Sequence, residues 1–261
     1  MNNDVLQPDE TLEDLQLNGF FLIQKKKGFR FGMDAVLLAD FAVIRPGDTV
    51  ADFGTGSGIL PVLLAGRNKG SFYYPIDIQP DLCELAARNM AMNKLKYKVI
   101  CHDLSKKPDQ ELPERIDAIV CNPPYSEPNA ALVSPYPVKS ISRNQSEGTL
   151  NGFFRSAYFV LKGRGKLFMI YPAPAMLSVM LQLRQHHLEP KRFRMIYPAI
   201  DKKANLVLIE AVKDAKSGLH PQPPLIIREK NGDLTNELKS IYHIGEQKET
   251  NRIHFEEMSC E

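Results

Sequence analysis

The sequence predicts an α/β fold: a seven-stranded, mostly parallel sheet with an antiparallel last strand and helices on both faces. Three observations predict it. Short apolar runs alternate with helix-length segments between residues 49 and 198, and such alternation implies crossover connections between parallel strands. The last two apolar runs are joined only by "AIDKKA", too short for a crossover, so that pair is antiparallel. A turn with three glycines, "DFGTGSG", follows the first run, and the carboxyl ends of strands are where open sheets bind ligands.

The elements follow in order. Residues 1–17 read as a flexible lead. "NGFFLIQKKKGFRFG" (18–32) reads as a hairpin with a Lys-rich middle, and "MDAVLLADFAVI" (33–44) as an apolar helix stopped by "RPG". Strand one is 49–54. The helix of 57–67 carries a proline expected to kink it or delay its start. Strand two is 71–78. The helix of 80–95 has proline at its start and apolar residues at helical spacing. Strands three and four are 98–103 and 116–122. A helix at 152–163 leads to strand five (165–172), and a helix at 174–187 leads to strand six (190–198). Strand seven is 205–213. One domain is expected over 18–245, with a strand–turn–helix extension at 214–245. A disordered tail is expected at 246–261, where polar composition cannot bury a core.

Bulk composition narrows the function. Of 261 residues, 43% are hydrophobic and 25% charged, an ordinary globular balance. The net charge of +2 means that nucleic-acid binding would need local basic patches. The four cysteines, Cys83, Cys101, Cys121 and Cys260, make no Cys-x-x-Cys pair. Buried free thiols are expected, with no metal site and no disulfide framework. The acidic, polar start is not a signal peptide. The longest uncharged run, residues 167–183, holds two prolines and falls short of the roughly 20 apolar residues of a membrane span. A cytoplasmic protein is expected.

Glycines 54, 56 and 58 let the chain turn tightly and let a ligand approach the main chain. The spacing is G-x-G-x-G, with Asp52 just before it. A pyrophosphate wants a helix N-terminus free of negative charge. An acid beside the turn suits a ligand with a positive amine instead. S-adenosylmethionine has an ammonium, a sulfonium and no phosphate. Asp77, about 20 residues on, stands where sheet-based nucleotide sites grip ribose hydroxyls. Asp103 ends strand three and could accept from an adenine amino group. Ordinary turn chemistry is the competing reading of each acid alone.

"NPPY" (122–125) ends strand four. An amine on an aromatic or amide system has a delocalised lone pair and in-plane hydrogens. The Asn122 side-chain oxygen can accept one hydrogen and the Pro123 carbonyl the other. Proline brings no competing N–H, and its ring fixes the corner. Tyr125 can stack on a flat substrate, an interaction worth on the order of 1–3 kcal/mol per base elsewhere. Such a site works by alignment and electrostatics and needs no strong base.

"DFGTGSG", "DIQP", "CHD" and "NPPY", in this order, resemble the class I S-adenosylmethionine-dependent methyltransferases that modify exocyclic amines. "GFRFGMDAVLLADF", Ser142-Arg143 and "LIIREKNGDLTNEL" resemble the bacterial tRNA adenine-N6 methyltransferases, which act on adenine 37 of a valine tRNA. The resemblance spans residues 18 to about 242 and implies a Rossmann-like fold. It implies catalytic roles for Asn122, Pro123, Pro124 and Tyr125. It implies S-adenosylmethionine contacts at Asp52, Gly54, Gly56, Gly58, Asp77, Ile78, Asp103, Leu104 and Asn122. The partner it implies is RNA, with no membrane and no metal; a monomer is the expectation.

The long, proline-containing segment 126–150 leaves from this corner, and loops of that length tend to be functional. It is expected to shape a base pocket, with Lys139 and Arg143 offered to phosphate. "KKKGFR" (25–30), "KGRGK" (162–166) and "KRFR" (191–194) are further phosphate candidates. The target base would be unstacked from a loop. Competing readings are methylation of a protein glutamine, methylation of a ribosomal guanine, and a non-catalytic S-adenosylmethionine- or RNA-binding module. A dehydrogenase would need different glycine spacing.

Overall fold

The computed structural model describes residues 6–26, 32–123 and 143–243, the last stretch with side chains from residue 150 onward. The chain begins with β1 (Glu10–Asp14) and β2 (Phe21–Lys25), paired antiparallel with Glu10 opposite Lys25. The hairpin expected over 18–32 therefore lies earlier, and part of the expected lead is a strand. The reason is a buried ion pair the primary pattern does not show. Arg88 donates to both Glu10 oxygens at 2.7 Å, and this guanidinium holds the Glu10 carboxyl down at about 2. A bidentate pair of this kind fixes orientation as well as charge.

α1 (Met33–Phe41) precedes β3 (Thr49–Phe53), α2 (Ile59–Gly66), β4 (Phe72–Asp77), α3 (Pro80–Met92), β5 (Ile100–Cys101) and β6 (Ile116–Cys121). Pro61 is the third residue of α2, where a backbone N–H has no partner inside the helix, so it delays the start and makes no kink. Pro80 opens α3 with its φ already suited to a helix. α4 (Arg143–Val160) starts earlier than the expected 152 and runs directly into β7 (Leu161–Pro172). A short 3-10 turn leads to α5 (Met176–Gln185), and β8 (Leu188–Ala199) and β9 (Leu206–Lys213) follow.

The main sheet orders these strands β5-β4-β3-β6-β7-β9-β8. β3, β4, β5, β6 and β7 are parallel to one another, and β9 is antiparallel to both β7 and β8. β3 to β9 are thus the seven expected strands, with the expected antiparallel last one. The sheet is wider than seven. β10 (His220–Pro221) and β11 (Leu225–Arg228) both pair parallel to β8 before α6 (Asn236–Ile241) closes the chain. β11 and α6 are the strand–turn–helix extension expected over 214–245; β10, two residues long, carries too little periodicity to be read from the sequence.

Alternate residues of each strand face opposite cores. Val50, Val120, Phe168 and Ile170 pack with α1, α2 and α6. Ala51, Ile119, Leu167 and Met169 pack with α4 and α5. Helices therefore cover both faces, and the open edges of the sheet are its strand ends. Among the described residues no helix is long and apolar enough to cross a membrane.

Candidate active site

β3 ends at Phe53, and the three glycines that follow all adopt left-handed backbone, with φ of +74° at Gly54, +56° at Gly56 and +81° at Gly58. Side chains pay heavily for that conformation. The Gly54 and Thr55 N–H groups both donate to the Ile76 carbonyl, at 2.9 and 3.0 Å, which sews the turn to β4. A Cβ on Gly58 would lie 3.1 Å from Met90 Cε and 3.3 Å from Ala86 Cα, so the turn abuts α3. A Cβ on Gly56 would meet nothing within 4 Å; this side of the turn is open.

The acids differ in state. Asp52 is almost fully buried. Its Oδ2 accepts from the Thr55 hydroxyl at 2.6 Å, and its Oδ1 meets no donor. Burial pushes its carboxyl up to about 7, against the Thr55 bond and with some help from the Asp77 charge. Asp77 ends β4; its Oδ2 accepts from the Gly56 N–H at 2.9 Å and its Oδ1 from the Gln79 N–H at 3.0 Å. A carboxylate offers about four acceptor positions, so both oxygens keep capacity for hydroxyls. Asp103 turns on itself, accepting from the Ser105 hydroxyl at 2.6 Å and its N–H at 3.0 Å. The Ser105 hydroxyl holds its carboxyl below the ordinary value. Ile78, just past Asp77, is 57% exposed, whereas Leu104 is buried.

β6 lies beside β3, with Val120 opposite Asp52 and Cys121 opposite Phe53. The next residue on each strand is Asn122 on one and Gly54 on the other. Neighbouring strands stand about 4.8 Å apart, so the Asn122–Pro123 corner leaves the sheet directly beside the glycine turn. Asn122 is half-buried and Pro123 buried. Burial drives the adjacent Cys121 thiol well above its ordinary value, so it is no nucleophile. Phe153 of α4 packs edge-on to Phe53, with ring centres 6.1 Å apart, and closes the floor under Gly54. Pro124, Tyr125 and Lys139 lie outside the described residues. Arg143 opens α4 and its side chain is likewise outside them.

The basic clusters fare differently from expectation. In "KRFR", Arg192 binds Glu210 at 2.8 Å and the Phe41 carbonyl at 2.9 Å, with its guanidinium 4.0 Å from the Phe41 ring centre. Arg194 binds Glu237 at 2.6 Å. These are internal ties. "KGRGK" begins β7, and Lys162 pairs with Asp117, which also accepts from Thr49 at the start of β3. That cluster is at the sheet edge opposite the glycine turn. Lys25 is engaged by Asp9 and Glu10, and residues 27–30 lie outside the described set. Cys101, expected buried, is exposed, because β5 is an edge strand.

Sequence reasoning missed two positions. Asn89, fully buried in α3, accepts from the Ile23 N–H at 2.7 Å and donates to the Ile23 and Ser57 carbonyls at 2.9 and 2.8 Å. It joins the N-terminal hairpin to the glycine turn. An amide on the apolar face of that helix was the available signal. Arg155 donates to the Ser105 and Lys106 carbonyls at 2.6 and 2.9 Å, pinning the loop after β5; nothing local marks it. His102, Asp109 and Glu111 bring donor atoms within 4.8 Å of one another, but both acids are solvent-facing and need no ion.

Known proteins resemble this chain in sequence and in fold. Residues 33–188 fit the family model described as methyltransferase small domain. A protein of Flavobacteriaceae bacterium (strain 3519-10) named tRNA1(Val) (adenine(37)-N6)-methyltransferase is 28% identical over 164 residues, 63% of this chain and 68% of that one. One of the same name from Parabacteroides distasonis is 27% identical over 198 residues, 75% and 81% of the two chains. A solved Agrobacterium tumefaciens structure, described as a predicted O-methyltransferase, superposes with a TM-score of 0.64 at 19% identity, covering 81% of this chain and 96% of that one.

Proposed function

The chain belongs to the methyltransferase small domain family, and from that membership we propose that it transfers a methyl group from S-adenosylmethionine to the exocyclic amine of an adenine in RNA. Adenine 37 of a tRNA is the acceptor that the names of the relatives favour. The observation that carries the reading is the register of Phe53 against Cys121. It brings an amide-and-proline corner next to a glycine turn backed by acids.

The residues suit the cofactor. The unpartnered Asp52 Oδ1 matches an ammonium, which would draw its proton off. Asp77 would take the ribose hydroxyls, and the bare side of Gly56 gives the ligand access to the main chain. The exposed Ile78 offers an apolar face to the adenine ring, and Asp103 an acceptor for its amino group. When bound, the cofactor supplies a methyl activated by a sulfonium. Asn122 and the Pro123 carbonyl would hold the acceptor nitrogen by its two hydrogens and turn its lone pair towards that methyl; as the nitrogen–carbon bond forms and the sulfur–carbon bond breaks, one of the two amine hydrogens would pass to water as a proton. Pro124 and Tyr125, the rest of the motif, would act on the base itself. No described residue need act as a strong base, because alignment and fixed dipoles do the work. Lys139 and Arg143 belong to the segment that would shape the base pocket. Under this reading the protein acts in the cytoplasm as a monomer.

The test is incubation with radiolabelled S-adenosylmethionine and total RNA from a strain lacking the gene, with translation release factor offered in parallel. Label should enter tRNA, vanish with nuclease and run as N6-methyladenosine. Nuclease-resistant label would transfer the reading to a protein glutamine, label in guanine to ribosomal RNA, and no transfer to a non-catalytic binding module.

A further inference from the structure

We infer that a cleft formed by the β8–β9 turn and the end of β11 holds the phosphate backbone of the RNA substrate, away from the base pocket. The inference rests on the RNA reading above and adds to it the surface that would bind the polymer.

Topology puts the cleft on the correct edge. β9 is antiparallel to β7 and to β8, so β8 points the same way as β6 and β7. β11 runs parallel to β8, with Arg228 opposite Ala199. Both strands therefore end at the edge where Cys121 leads into Asn122. From β6 the order runs β7, β9, β8 and then β11. At about 4.8 Å per strand the cleft begins roughly 15–20 Å from the corner. A free nucleoside cannot span that; a folded RNA can.

The chemistry fits a polyanion. The cleft has a volume of about 490 Å³, and Lys202, Arg228 and Lys230 line it with Asp201 and Glu229. Lys203 lies beside it, exposed. Asp201 stands 3.6 Å from Lys202, and the neighbouring Asp233 accepts from Asn231 Nδ2 at 2.8 Å. Arg228 is pre-ordered, with Nη1 donating to the Gly232 carbonyl at 2.7 Å, and a guanidinium keeps further donors for phosphate. Farther along the same edge stand the carboxylates of Asp77 and Asp103, which repel a phosphate chain. With three cations to two acids in its lining, the cleft is the more cationic end of that edge, and such a difference in field draws a polyanion towards it. "KRFR" and "KGRGK" do not compete: the first is tied internally and the second lies at the opposite edge.

The experiment compares wild type with the triple variant Lys202→Gln, Arg228→Gln, Lys230→Gln and its glutamate counterpart. The control is Arg164→Glu at the opposite edge. All three lining positions are exposed, and an unchanged melting temperature checks folding. A tRNA transcript should bind the glutamine variant tenfold or more weakly, with a salt slope shallower by about two to three. Glutamate should deepen the loss, cofactor affinity should hold in calorimetry, and Arg164→Glu should change neither. If the triple variants bind and methylate tRNA as wild type does, the cleft assignment is overturned and the RNA reading stands. If wild type methylates no RNA at all, the RNA reading has failed and the cleft assignment fails with it.

Discussion

The Asp77 carboxylate accepts a hydrogen bond from the Gly56 N–H at 2.9 Å. One strand-end acid thereby fixes the middle glycine of a turn that starts from the neighbouring strand. Its second oxygen is held by the Gln79 N–H, so the carboxylate arrives in place before any ligand does.

Replacing Asp77 with alanine removes both that pre-ordering and the acceptor for the ribose. Hydrogen bonds to a charged group are worth about 1.5–3 kcal/mol, so S-adenosylmethionine should bind roughly 10- to 150-fold more weakly. Titration calorimetry on the folded variant measures this, and unchanged affinity would remove Asp77 from the cofactor site.

Asn122→Ala should separate binding from chemistry. Loss of one preorganised polar group at a reacting centre costs about 100- to 1000-fold in turnover. Turnover on RNA should fall by that order while cofactor affinity stays within about twofold of wild type. Parallel losses in both would mean that the side chain shapes the corner without gripping the amine.

Asp52 links stability to pH. Its carboxyl is raised from 3.8 to about 7 by burial, so between those values the folded protein holds a proton that the unfolded chain has released. Stability from this group is present below about pH 4 and is lost as pH rises towards 7, at up to about 1.4 kcal/mol per pH unit. Asp52→Asn should flatten the melting temperature across that window. A cationic ligand beside Asp52 reverses the preference. Cofactor binding should tighten as pH rises through 7 and should release a proton, visible as a buffer-dependent enthalpy in wild type and not in Asp52→Asn.

Asn89→Ala strands the Ile23 N–H, the Ile23 carbonyl and the Ser57 carbonyl, the first two of them in the interior. A buried group without its partner costs about 1–3 kcal/mol. The variant should melt several degrees lower and bind cofactor more weakly, since Ser57 belongs to the glycine turn. Denaturation and calorimetry on the same preparation test both, and a loss of stability alone would confine Asn89 to holding the hairpin.

Much of the fold was legible because its signals are local. The alternation of strand and helix, the glycine spacing, Pro80 at a helix start and the short 199–204 link each reflect steric or length constraints within a few residues. They led to seven strands in the correct sense. β1 escaped because Glu10 looks like solvent-exposed acid until Arg88, from a distant helix, neutralises it. β10 escaped because an existing edge recruits its two residues and their own patterning does not, whereas β11 and α6 are the expected strand–turn–helix extension.

The amino-acid order by itself determined the parallel sheet, the glycine turn, the acids at its strand ends and the amide-and-proline corner, since backbone sterics and hydrophobic period act over short spans. Only the tertiary structure decided which charges are spent. It committed Arg192, Arg194 and Lys162 to internal partners, buried Asp52 enough to retain a proton, and gathered Lys202, Arg228 and Lys230 around one cleft. Charge is long-ranged and its effect depends on burial and on neighbours distant in sequence, so no local pattern can assign it.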